Sequence, residues 1–352
     1  MENPVFLHNN RKNIKVKKTM ENLTEESIRP AKLMEKQKIY ALVDVGRMLS
    51  RYEEFVFIKC PACNKDKHKY KFTKNGMKYV ECEDCKTFYV NPRPTSDVLD
   101  WFYKSSPNYA YWSEFVFTAT EKTRREKIFV PRVENLLELC AKYKIKTDSL
   151  LEIGSGFGTF CSEVKSRNIF NRIVAVEPTP DLAEKCREKG LEVIEETIEN
   201  IHFNNDLFDV VVSFEVIEHL FEPSYFVKTA AELLKPGGIF MLTCPNGMGF
   251  DIETLGILSD TVDHEHLNYF NPKSLAILME NFDLEVLEVL TPGVLDADLV
   301  RNKVLSGELD ISNQPFLQKI LVNEWDSLGV IFQDFLITHG LSSNMWIVAR
   351  KI

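Results

Sequence analysis

Residues 150–160 read LLEIGSGFGTF, and the rest of the chain is arranged around them. Leu150, Leu151, Glu152 and Ile153 have the apolar density of a buried strand end, and a helix opens near Thr159. Between them Gly154, Gly156 and Gly158 turn the chain tightly. Glycine permits both the sharp turn and a close approach of the backbone to a ligand. The free N–H groups at the helix start favour the polar end of such a ligand. The spacing is G-x-G-x-G, not the dinucleotide G-x-G-x-x-G. Standing alone, the motif is a weak signal, and a glycine-rich turn with no ligand is its plain alternative.

Three downstream stretches join it. IVAVEP (173–178) is a second buried strand, ending in Glu177, an acid placed for the hydroxyls of a ribose. FDVVVSFEVIEHL (208–220) is a third strand passing toward a helix, and LLKPGGIFMLTCPN (233–246) stops a helix at Pro-Gly-Gly before another strand. In this order and spacing the set resembles the class I S-adenosylmethionine-dependent methyltransferases, over about residues 147–290 with a last strand near 345–350. The resemblance implies an α/β fold, a doubly wound Rossmann-like sheet. It also implies S-adenosylmethionine as cofactor, its ribose at Glu177, its methionine end along Gly154–Gly158 and its adenine near Thr197 and Ile198. Glu152, Ser155, Pro178 and Phe214 complete the cofactor set that it implies.

The chain has 352 residues, 44% hydrophobic and 27% charged, the balance of a globular protein large enough for one main domain and an accessory module. A formal net charge of −9 argues against broad nonspecific binding of nucleic acid. No apolar run approaches the ~20 residues needed to span a bilayer. The first residues carry charge without an apolar core, so no secretory signal is expected; residues 1–20 read as a basic mobile tail. Four of the eight cysteines, Cys140, Cys161, Cys186 and Cys244, are scattered among apolar residues as buried small hydrophobes. This usage suits a reducing, cytoplasmic setting.

The expected organisation is a tail and helix over 1–54, a ribbon over 55–93, an aromatic helical linker over 94–146, and the methyltransferase domain over 147–352. In the ribbon, Cys60-Pro-Ala-Cys63 and Cys82-Glu-Asp-Cys85 have the pair spacing of a structural zinc site. Asn75-Gly76 between them marks a hairpin. A metal would replace the core that so small a unit lacks. Trp101, Phe102, Tyr103, Tyr109, Tyr111 and Trp112 crowd the linker. They either stack a ring-shaped substrate or pack the ribbon on the main domain, and packing is the slightly favoured reading. Residues 291–343 interrupt the strand–helix rhythm as a helical insertion, a wall for an acceptor pocket or a packing surface.

Methyl transfer from a sulfonium is governed by positioning, with a base needed where the acceptor loses a proton. Glu215, Glu218 and His219 follow the third strand at i, i+3 and i+4, on one face if helical. Asp263, His264, Glu265 and His266 follow the next strand. The E-x-x-E-H form recurs in class I enzymes, among them ubiquinone-pathway O-methyltransferases and small-RNA 2′-O-methyltransferases. That resemblance implies Mg²⁺ or Mn²⁺ as a further candidate cofactor, with His264 or His266 completing the set. Surface or capping roles for these histidines are the plain alternative.

The ribbon, NPRP (91–94) and HEHLNYFNPKSL together are similar to bacterial surface-polysaccharide and nucleotide-sugar methyltransferases. The expected acceptor is a small hydroxylated molecule, a sugar or nucleotide-sugar, methylated at oxygen rather than carbon. An RNA-modifying enzyme, a non-catalytic binding protein and, more weakly, a nicotinamide dehydrogenase are the other readings.

Overall fold

The computed structural model describes residues 23–201 and 207–352; the basic stretch near the start lies outside them. Helix α1 (Ala31–Leu49) leads into the ribbon, whose strands are β1 (Phe55–Val56), β2 (His68–Lys74), β3 (Met77–Cys82), β4 (Phe88–Val90) and β5 (Arg93–Pro94). Asn75 and Gly76 between β2 and β3 have φ of 51° and 74°, the paired left-handed conformation that a two-residue hairpin requires. A side chain at Gly76 would also meet Leu49 Cδ1 at 2.5 Å.

The main sheet holds β6 (Ser149–Ile153), β7 (Arg172–Val176), β8 (Glu192–Ile194), β9 (Phe208–Phe214) and β10 (Leu234–Pro245). Beyond a short β11 (Asn268–Tyr269), it is completed by β12 (Leu284–Leu290) and β13 (Asn344–Lys351). The order is β12-β13-β10-β9-β6-β7-β8, with β13 antiparallel to both neighbours. Every residue of β6 and β9 is buried, as central parallel strands covered on both faces must be. Leu151 and Ile153 enter one core and Leu150 the other, because successive side chains point to opposite faces. Strand order reverses between β6 and β9, so the crevice for a ligand opens beyond their carboxyl ends.

Two features position what lies in that crevice. The first is β11, which pairs with β4 and so gives the ribbon its fourth strand from the far side of the sequence. Ribbon and main domain therefore share a sheet and a core, with Met77, Tyr79, Phe88 and Tyr269 buried together. Helix α2 (Ser96–Ser105) contributes Phe102 to this core, so that linker aromatic packs between the units as expected. The second is a nearly continuous helical run from Pro107 to Tyr143, ending in α3 (Val130–Tyr143). It makes up most of the helical linker expected over 94–146 and includes π turns at Trp112–Phe117 and Arg125–Phe129. Further on, α4 (Thr159–Ser166) follows the glycine turn. Then come α5 (Phe250–Leu255), α6 (Asp296–Leu305) and α7 (Trp325–Thr338), with their own core of Leu255, Val300, Leu321 and Leu336. No helix among the described residues is long and apolar enough to cross a membrane.

Candidate active site

The three glycines of the β6–α4 turn all have positive φ, for different reasons. A Cβ at Gly154 would strike Val216 Cγ2 at 2.5 Å, and one at Gly158 would strike Cys186 and Leu191 at 2.8 Å. At Gly156 a Cβ would meet nothing within 4 Å, since it would project into the cavity that the turn lines. That is the cradle a bound cofactor would fill. Glu177 closes the turn from β7: its Oε2 accepts from Gly156 N at 2.7 Å and its Oε1 from Thr179 N at 3.0 Å. Burial raises the Glu177 carboxyl, and the hydrogen bonds from Thr179 and Gly156 oppose this. Glu152 lies 2% exposed beneath the turn with Oε2 unpartnered, and burial pushes it up to about 8. These groups suit a nucleoside with a charged amino-acid tail.

The cavity is large, about 1640 Å³, and takes in Glu152, Gly154, Ser155, Gly156, Phe214, Glu215, Glu218, His219, His264 and His266. Gly158, Glu177, Pro178, Thr197 and Ile198 are not among its lining. Ile198 is buried in the core, and Glu177 sits behind its own loop. Single-ligand pockets usually measure roughly 300–1,000 Å³, so there is room here for a cofactor and an acceptor.

Beyond the glycine turn, Glu218, His219 and His266 each offer a ligand atom within 4.8 Å of the others. Their surroundings fix how they point. His219 Nδ1 lies 3.1 Å from Glu265 O and 3.1 Å from the Tyr103 hydroxyl; His266 Nδ1 lies 2.8 Å from Thr261 O. A carbonyl can only accept, so Nδ1 carries a proton in both rings and their Nε2 atoms are the ones turned away from these carbonyls. The rings stand 4.6 Å apart. Glu218 is 1% exposed, and neither of its carboxyl oxygens has a partner among the described residues. Burial, then the nearby Glu215, hold its carboxyl well above the ordinary range. Burial, then His266, press His219 down to about 3, against the pull of Asp263. Two imidazoles whose Nδ1 atoms are bonded to carbonyls, beside a carboxyl without a partner among the described residues, are a set that a divalent ion could use. The same set can take a proton from an acceptor.

Glu215 departs from the expectation. It does not share a helical face with Glu218 and His219, because only Ile217–His219 form a single 3₁₀ turn. Glu215 itself is left-handed, with φ of 56°. The chain must leave β9 at Phe214 and reach Pro223 within a few residues, which leaves no length for a helix. Its Oε1 is filled by Arg132 Nη2 at 3.0 Å, Thr243 Oγ1 at 2.6 Å and Asn344 Nδ2 at 3.3 Å. His264 also stands outside the cluster, 3% exposed and edge-on to Phe102, with Nε2 3.8 Å from Glu265 Oε1 and no hydrogen-bond partner among the described residues. Arg132 was not anticipated, and Tyr103 and Tyr109, read from the sequence as linker aromatics, line up beside this site, Tyr103 on His219. Tyr109 lines the cavity, and burial, then the nearby Glu177, raise its hydroxyl.

The four ribbon cysteines converge as expected, with Sγ atoms 3.4 Å apart for Cys60–Cys85 and 3.6 Å for Cys63–Cys82. A tetrahedral zinc with bonds of about 2.3 Å spreads its sulfurs about 3.8 Å apart, so these residues fit the ion. Cys140, Cys161, Cys186 and Cys244 are buried and free.

Comparison with known proteins agrees with this geometry. Residues 122–289 match the family model described as a methyltransferase domain. The C-methyltransferase NovU of Streptomyces niveus is 28% identical over 177 residues, covering 49% of this chain and 41% of that one. The mitochondrial ubiquinone biosynthesis O-methyltransferase of Dictyostelium discoideum is 30% identical over 129 residues, covering 36% of this chain and 40% of that one. The chain thus spans about two fifths of the length of these relatives. An S-adenosylmethionine-dependent methyltransferase of Clostridium acetobutylicum superposes with a TM-score of 0.45 and 10% identity, covering 68% of this chain and 98% of that one. With the strand order and the glycine turn, the match of residues 122–289 to a methyltransferase domain gives this part of the chain a Rossmann-like methyltransferase fold.

Proposed function

We propose that the protein transfers the methyl group of S-adenosylmethionine to oxygen on a small hydroxylated acceptor, a sugar or nucleotide-sugar used in surface glycans. The observation that carries this reading is the pair of imidazoles, His219 and His266, their Nδ1 atoms bonded to carbonyls, beside Glu218 in the cavity past the glycine turn. S-adenosylmethionine, when bound, supplies the electrophilic methyl. The residues of this chain do the rest. Gly156 leaves room for the cofactor, Glu177 holds the ribose, and a neutral imidazole accepts the hydroxyl proton. Tyr103 and the Glu265 carbonyl keep His219 in the tautomer that can do so. If Mg²⁺ or Mn²⁺ takes part, Glu218, His219 and His266 would hold it and so orient the acceptor hydroxyl. Zinc at Cys60, Cys63, Cys82 and Cys85 would brace the ribbon.

An RNA acceptor fits less well. The acceptor end presents Glu215, Glu218, Asp263 and Glu265, with Arg132 as the facing cation already committed to Glu215. Phosphate binding would require the opposite charge. A C-methylation reading is kept in view because one relative is named for it. The deciding experiment gives the protein ¹³C-methyl-labelled S-adenosylmethionine and a panel of nucleotide-sugars. A methoxy resonance on the product supports this reading, and a labelled methyl on carbon overturns the assignment to oxygen.

A further inference from the structure

Besides the acceptor cluster, a second set of polar residues lines the same cavity and forms a polar lobe of it. It is walled by residues 24–29, by α5 and by α6, and it is lined by Glu25, Arg29, Asp251, Asp260, Asp298 and Lys303. Asp260 and Thr261 join it to the acceptor cluster, since Thr261 O takes the ring N–H of His266. Asp251 is its deepest group. It is 1% exposed, lines the cavity, and its Oδ1 has no partner among the described residues.

What surrounds Asp251 decides what it lacks. Behind it stands Asp296, 3% exposed, whose carboxylate is filled by Gln333 Nε2 at 2.8 Å, Ser342 Oγ at 2.6 Å and Ser343 N. Burial first, then Asp296, push the Asp251 carboxyl up to about 8, with Arg29 opposing. Burial likewise raises Glu25 and Asp298. Of the cations nearby, Lys303 pairs with Glu308 at 2.9 Å and Asp260 at 3.7 Å, while Arg29 acts on Glu25 and Asp251, and Arg301 on Asp298, without an ion pair to these among the described residues. A buried carboxyl without a partner is unfavourable, and a second carboxyl at its back makes it more so.

We propose that this lobe is a cation subsite in which Asp251 receives an ammonium group carried by the acceptor. The inference rests on the methyl-transfer reading and narrows it: the acceptor is an amine-bearing sugar. A hydroxyl would bring one donor and no charge, leaving the acidic surroundings unrelieved. An ammonium brings three donors and the missing positive charge, and lets Asp251 ionise.

The test is calorimetry on the full chain saturated with S-adenosylhomocysteine, using D-glucosamine, D-glucose and N-acetyl-D-glucosamine as probes. Glucosamine is expected to bind at least tenfold more tightly than the other two. Asp251→Asn keeps the shape and removes the charge, and it should bring all three within threefold. Equal binding of glucosamine and glucose, no glucosamine binding at 50 mM, or a preference that survives Asp251→Asn would each overturn the proposal. Binding of S-adenosylhomocysteine is read in the same experiment. Its absence would strike the methyl-transfer reading instead.

Discussion

The ring of Tyr269 lies flat on that of Phe88, with centroids 4.2 Å apart and planes at 6°. One residue belongs to the ribbon, and the other follows His266 by three positions. Around this stack, Asn268 Nδ2 donates to Leu220 O at 2.8 Å, and Tyr79 donates to Asp263 O at 2.6 Å. Arg93, fully buried, donates to Phe221 O, Leu267 O and Asn268 Oδ1. The two loops that carry His219 and His266 are thus held at their separation by the ribbon. Phe88→Leu is predicted to slow methyl transfer at least tenfold while S-adenosylhomocysteine affinity stays within about twofold. Equal losses in both, measured by transfer assay and calorimetry, would mean that the ribbon supports the whole domain and not the acceptor end.

The sulfur cluster makes a separate prediction. Purified protein should contain one zinc per chain, and Cys82→Ser should lose it, because three thiolates no longer close a tetrahedral site. Elemental analysis decides this. Zinc retained at the wild-type level in Cys82→Ser would move the metal elsewhere.

At the cofactor end, Glu177→Ala should lose about 1.5–3 kcal/mol of S-adenosylmethionine binding, the range for a charged hydrogen-bond partner. Gly156→Val should abolish binding, since its side chain would project into the cavity from a position with positive φ. Calorimetry giving wild-type affinity in both variants would place the cofactor in another pocket.

The sheet was legible because its central strands are mostly apolar and its glycine turn is specific. The hairpin was legible because Asn75-Gly76 has one favoured geometry. What escaped the sequence had no local signature. β11 is two residues long and pairs with a strand far earlier in the chain. Arg132 sits in an amphipathic helix, where an arginine ordinarily reads as solvent-facing, yet it is buried over Phe214. Asp251 lies in a six-residue helix whose polarity suggests exposure. Glu215 was misplaced because i, i+3, i+4 spacing has meaning only on a helix, and tertiary turning denied it one.

His219 also makes a prediction about pH. Its pKa of about 3 lies below the roughly 6.5 of an unfolded chain. Between those values the unfolded chain binds one more proton, so the contribution of His219 is present above pH 6.5 and lost as pH falls toward 3. His219→Gln should therefore lose thermal stability less steeply than wild type between pH 6.5 and 4.5. The difference is at most about 1.4 kcal/mol per pH unit. Parallel melting curves would show that His219 is not buried neutral.

The most direct test of the central claim is transfer of labelled methyl from S-adenosylmethionine to an accepted sugar by wild type, His219→Ala and His266→Ala. Each variant should be slowed at least tenfold with cofactor affinity within about twofold, because a lost base or metal ligand costs transition-state stabilisation and not cofactor binding. If a divalent ion takes part, a chelator should slow the wild type as much, and added Mg²⁺ or Mn²⁺ should restore it. Full activity in both variants would contradict the account and leave the two histidines as capping residues of their loops.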